Sequence, residues 1–113
     1  MVIKLNSISI FDIKLTELQE KTLLELSKTT NFDFICKKLN LKAISLTSTI
    51  KALETKKLFS QNKLTEKGKK MVHYLNFRNE TISLFLSVNN NSANASLYKL
   101  DYKAIIMLRN LLS

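Results

Sequence analysis

Apolar residues return every three or four positions through most of this chain, the period at which a helix lays one stripe against a core. Residues Met1 to Ile13 lack that rhythm: Ile3, Leu5, Ile8, Ile10 and Phe11 are spaced irregularly, and a short strand or a helical arm fits them equally. The rhythm begins after Thr16. Thr16 and Gln19 have capping-box spacing and Leu15 stands where a hydrophobic staple would, so a first helix is expected from about Glu17 to Ser27, burying Leu18, Leu23 and Leu26. A second, short helix is expected to start near Asp33, whose carboxylate can cap free N–H groups, with Phe34, Ile35 and Leu39 inward. Asn40 ends it, because Asn tolerates the left-handed conformation of a tight turn. A third helix is expected from about Ala43 to Lys56, with Leu46, Ile50 and Leu53 in one stripe and Ser45, Ser48 and Lys51 outside.

The period then changes. Leu58-Phe59-Ser60, Gln61-Asn62 and Lys63-Leu64 read as a hairpin of two short strands around a polar tip, and Thr65 as the cap of a fourth helix. That helix is expected from Glu66 towards Val88, with Met71, Leu75, Ile82 and Phe85 in a stripe that Arg78 interrupts and Gly68 tolerated in its first turn. The polar run Asn89 to Asn94 reads as a linker, and a final helix from about Ser96 to Leu112 carries Leu97, Leu100, Ala104, Leu108 and Leu111. One glycine and no proline in 113 residues support this helical reading, and 45% apolar residues suffice for one core.

Charge adds direction. Eighteen Lys and Arg against nine Asp and Glu give a formal +9, which points to a polyanionic partner: DNA, RNA or an anionic membrane surface. Only Arg78 and Arg109 are arginines, so the basic surface acts through point charges, which suit phosphates better than base edges. With no stretch near the length of a membrane span and no apolar leader, the chain reads as cytoplasmic and nucleoid-associated, or nuclear in a eukaryote. Cys36 and His73 stand alone, too few soft ligands for a zinc site. Cys36 is expected to be a packed core thiol and His73 a helix-surface imidazole. Tyr98 and Tyr102, four apart, are expected to form a packing edge. Catalysis is not expected, because the chain shows no paired carboxylates in a recognisable cleft, no glycine-rich phosphate loop and no nucleophile with a base; no cofactor or metal is implied.

Three helices, a hairpin and a further helix, in that order, form the layout of a winged helix-turn-helix. The run Leu39-Asn40-Leu41-Lys42-Ala43-Ile44-Ser45-Leu46 through Ile50-Lys51-Ala52-Leu53-Glu54 resembles the turn and recognition helix of that superfamily. Leu58-Phe59 resembles the strand that opens the wing, and Lys63-Leu64-Thr65-Glu66-Lys67-Gly68-Lys69 its close. Leu15-Thr16 with Gln19 and Leu23 is similar to the start of the first helix in MarR-type or related small transcriptional regulators of bacteria and archaea. The resemblance covers about Leu15 to Val72. Lys57 departs from it, standing where the family usually has a glycine, and the wing lacks the Asp and Arg pair typical of MarR proteins.

The resemblance implies a DNA-binding domain over 15–70; the arm over 1–14 and the helices over 71–113, expected to dimerise, lie outside it. An independent charge argument agrees: residues 37–70 hold ten lysines against Glu54 and Glu66, a net +8 of the chain's +9. Lys42, Ser45, Thr47, Ser48 and Lys51 are expected in the major groove of double-stranded DNA. Lys63 is expected on the wing, against the backbone or minor groove, and Lys67, Lys69 and Lys70 near phosphates. Readout is expected to be sequence-loose, since Ser and Thr bond to several bases, with Ala43 or Ile44 positioned for a thymine methyl. A homodimer is expected from the surplus apolar positions Met71, Leu75, Ile82, Phe85, Leu97, Leu100, Leu108 and Leu111. The alternative is a winged-helix adaptor in a larger nucleic-acid-processing complex, marked by an apolar patch where DNA binding requires a basic one.

Overall fold

The computed structural model describes residues 13–89 and 95–112; the expected arm, through residue 12, and linker residues 90–94 lie outside them. The described chain is mainly helical, with one two-stranded antiparallel hairpin.

Helix α1, Glu17–Leu26, starts on the expected capping box: Thr16 Oγ1 accepts from the Gln19 N–H at 3.1 Å, and Gln19 Oε1 accepts from the Thr16 N–H at 3.1 Å. Two orphan donors are thereby satisfied at once. Leu23 and Leu26 are buried, but Leu18 is not: it stays 36% exposed, beside the helix start, on a shallow groove lined by Glu17, Lys21, Lys38 and Leu39. Helix α2, Phe32–Leu39, begins earlier than expected because Asn31, not Asp33, is its cap: Asn31 Oδ1 accepts from the Phe34 N–H at 3.1 Å. Within it Phe34 faces outward, 50% exposed, where burial was expected, and Ile35 is the fully buried anchor.

Asn40 ends α2 at φ 56°, ψ 52°, with Leu41 N–H donating to the Cys36 carbonyl at 2.8 Å and Asn40 N–H to that of Lys37 at 3.4 Å. That six-to-one and five-to-two pairing is the Schellman pattern. Helix α3, Ala43–Thr55, then buries Leu46, Ile50 and Leu53 against α1 and α2. Its end repeats the motif. Lys57, at φ 67°, donates its N–H to the Glu54 carbonyl at 2.9 Å, and Leu58 N–H reaches the Leu53 carbonyl at 3.0 Å. Lys57 thus occupies the left-handed site where the resemblance would put glycine, as a lysine under strain.

Strands β1, Phe59–Ser60, and β2, Lys63–Leu64, pair Phe59 with Leu64 and Ser60 with Lys63. Between them Gln61 and Asn62 both have positive φ, 51° and 63°, the two-residue turn whose twist matches the strands it joins. Phe59 points inward, buried, and β1 packs on α3. Helix α4, Glu66–Asn89, is capped by Thr65, whose Oγ1 accepts from the Gly68 N–H at 3.0 Å while donating to the Lys57 carbonyl at 2.6 Å. Gly68 is not merely tolerated. A Cβ there would stand 2.0 Å from the Leu58 carbonyl oxygen, so only glycine lets the first turn of α4 lie on the residue that opens the hairpin.

The described residues through Val72 form one compact unit and those from His73 another, and α4 runs through the boundary. In the second unit the single expected helix from Ser96 to Leu112 is two pieces: a 3₁₀ segment, Ala95–Lys99, and α5, Tyr102–Leu112. Asp101 makes the break, its Oδ1 accepting from the Ala104 N–H at 2.8 Å as a new N-cap. The inward face of α5 therefore centres on Ile105, fully buried, and not on the expected Leu111, which is 81% exposed. Tyr98 and Tyr102 fall on different pieces, and Tyr102 packs against Tyr74 with ring centroids 5.6 Å apart. Met71, Leu75 and Ile82 are buried within the chain and are no surplus for a dimer.

Candidate nucleic-acid interface

At 3.6 residues per turn, Ile44, Ser48, Lys51 and Thr55 fall in one band along α3, with Thr47 at its edge. All five are exposed, opposite buried Leu46 and Leu53, so the helix has a dry face and a wet face as amphipathic packing requires. Lys42 precedes the band as an exposed N-cap residue that makes no side-chain capping bond. Ser45 is at the band's margin, half-buried, its carbonyl accepting from Thr49 Oγ1 at 2.9 Å. Thr47 Oγ1 donates to the Ala43 carbonyl at 3.0 Å and Thr55 Oγ1 to that of Lys51 at 3.0 Å. Each of these threonines offers an outside group lone pairs only, whereas Ser48 is exposed without such a bond among the described residues.

The hairpin lies beside this helix because β1 packs on α3, and it carries exposed Lys63 at the β2 position paired with Ser60. The first turn of α4 joins the same unit through Thr65 and Gly68. Of its lysines, Lys69 and Lys70 are exposed and Lys67 half-buried. Lys69 meets Glu66 at 3.3 Å, an exposed pair worth little that a phosphate could displace. Among the described residues Lys42, Lys51, Lys63, Lys67 and Lys70 have no acidic partner within ion-pair distance.

Other cations in the +8 stretch do different work. Lys38 reaches Glu25 at 3.1 Å, and Lys56 Nζ donates to the Lys14 carbonyl at 2.6 Å and to Gln19 Oε1 at 2.8 Å, tying the end of α3 to the start of α1. Lys57 is exposed between α3 and the hairpin and belongs with the free cations, as does Thr55 with the polar band. Lys57 is one of the ten lysines of residues 37–70, and that charge is the sequence signal for its surface role. Both arginines serve the second unit. Arg78, buried, donates Nη2 to Asn79 Oδ1 at 2.9 Å under the Tyr98 ring, and Arg109 Nη1 donates to Thr81 Oγ1 at 3.3 Å beside Phe77.

Cys36 is half-buried on α2, and His73 is exposed on α4. Among the described residues no cluster of His, Cys, Asp and Glu is placed to hold a metal ion, and no helix is long and apolar enough to cross a membrane. Compared with protein families, curated proteins and solved structures, the chain gives no match.

Proposed function

We propose that residues 15–70 are a winged helix-turn-helix that binds double-stranded DNA, with α3 in the major groove and the β1–β2 hairpin against the backbone or minor groove. The observation that carries the reading is that five of the six lysines expected at DNA, 42, 51, 63, 67 and 70, have no acidic partner among the described residues and sit on three consecutive elements of one compact unit. A merely solubilising charge has no reason to gather there while the rest of the chain stays near neutral. The wet face of α3 holds hydroxyls and lysine, which favours phosphate positioning with loose base readout over strict sequence recognition. This is the arrangement expected of a small MarR-like transcriptional regulator.

The protein acts as a homodimer in this reading. One such unit gives little contact for useful affinity, and exposed Leu84 and Val88 of α4 with Met107 and Leu111 of α5 are apolar surface available for a twofold contact. Two α3 helices would then enter successive major grooves about 34 Å apart.

Fluorescence anisotropy with duplex DNA tests the reading. Five lysine contacts per protomer, ten in the dimer, give a log–log salt slope of about −9, a loss on the order of 10⁵-fold between 50 and 200 mM salt. Affinity indifferent to salt would instead favour the adaptor reading, which would draw on exposed Phe32 and Phe34 of α2.

A further inference from the structure

We infer that Ile44 makes this surface selective for thymine, its side chain packing on thymine C5 methyl groups in the major groove; the inference rests on the DNA-binding reading above. Ile44 is 77% exposed, the most exposed large apolar side chain of the described first unit. Neither the core nor the helix accounts for it. The buried stripe of α3 is complete without it, and a β-branched residue in the first turn is a poorer helix former than the alanine beside it.

The composition of the band decides what such a side chain can read. Ala43–Thr55 contains no Arg, Asn or Gln, the residues whose paired donors and acceptors identify a guanine or adenine edge. The hydroxyl hydrogens of Thr47 and Thr55 are committed to the carbonyls of Ala43 and Lys51. Lys51 seeks phosphate or any acceptor. Lys51 can meet a guanine edge as well as a phosphate and Ser48 can serve several bases, so apolar contact is the interaction of the band that singles out thymine, whose methyl is the apolar group that the four bases display in the major groove. Ile44 follows Lys42 by two residues, so a phosphate held by that lysine would bring the first turn of α3 to the base edges.

The test uses the full chain and labelled duplexes that differ only in C5 methyl groups: alternating A·T, the same duplex with deoxyuridine for thymidine, and alternating G·C with cytosine or 5-methylcytosine. Removing the thymine methyls is expected to weaken binding about fourfold for each methyl contacted, and methylating cytosine to strengthen it comparably. Ile44→Ala should bring both ratios near one with an unchanged circular dichroism spectrum, while Ile44→Val keeps most of the difference. Equal, salt-sensitive binding of thymine and uracil duplexes by the parent overturns the inference and leaves the DNA reading standing. A methyl effect that persists in Ile44→Ala overturns the assignment to this residue. Absence of salt-sensitive binding to every duplex defeats the DNA reading, and the inference with it.

Discussion

Replacing Gly68 with alanine sets two physical effects against each other, with opposite signs. By helix propensity the change should stabilise α4 by about 1 kcal/mol. The new Cβ, however, would lie 2.0 Å from the Leu58 carbonyl oxygen, and that atom belongs to the backbone, so no side chain can rotate away. The first turn of α4 must lift off the hairpin. Overpacking of this kind costs about 1–3 kcal/mol, and lifting strains the bond in which Thr65 N–H donates to Leu58 O at 3.1 Å, worth about 1 kcal/mol more. The net expectation is destabilisation by about 1–3 kcal/mol, lowering the melting temperature by several degrees or more. Urea denaturation followed by far-ultraviolet circular dichroism measures it, with Asn76→Ala as control, since Asn76 is exposed on the same helix and should gain a few tenths of a kcal/mol. If Gly68→Ala is as stable as the parent, α4 does not lie on Leu58 as described and the hairpin is placed wrongly.

Other substitutions probe the ends of α3 and the charged surface. Lys57→Gly should raise stability by up to about 1 kcal/mol, relief of the left-handed strain exceeding the entropy added to the unfolded chain, and Lys57→Ala should give no such gain in the same denaturation assay. Lys51→Glu with Lys63→Glu should leave the melting temperature within about a degree or two and flatten the DNA salt slope of the dimer by about 4, two contacts from each protomer; unaltered binding would remove α3 and the hairpin from the interface. Met107→Gln with Leu111→Gln, both at exposed positions, should shift the chain from dimer to monomer in light scattering without loss of helicity, whereas a parent that is already monomeric at micromolar concentration refutes the dimer.

Local signals carried far in this sequence. The Thr16–Gln19 capping box, the left-handed Asn40, the hairpin turn at Gln61-Asn62 and the Thr65 cap are each written within four residues, and each forms as the residues dictate. Two further matters were not settled locally: Asn31 and Asp33 can both cap a helix, and packing, which puts Ile35 in the core, leaves Phe34 outside it. The last helix failed for a related reason. Asp101 restarts the helix, and on the apolar side of Tyr102–Leu112 both Ile105 and Leu111 qualify by period; only packing shows that Ile105 is buried and Leu111, near the helix end, is not. Gly68 was illegible because its neighbour is a backbone carbonyl ten residues away, a distance no periodicity encodes. For the candidate site, charge clustering was visible in sequence. What sequence lacked was which lysines are spoken for: Lys38 by Glu25, Lys56 by Lys14 and Gln19.

The brevity of the hairpin also bears on how the folded protein behaves when crowded. Strands of two residues expose at most a few unpaired N–H and C=O groups, and one of them carries exposed Lys63. A row so short gives an incoming extended chain almost nothing to pair with, and a lysine on it disfavours stacking of like copies. Among the described residues of the first unit, then, the folded state offers no template for cross-β growth, and strand addition there would require them to open before it could begin.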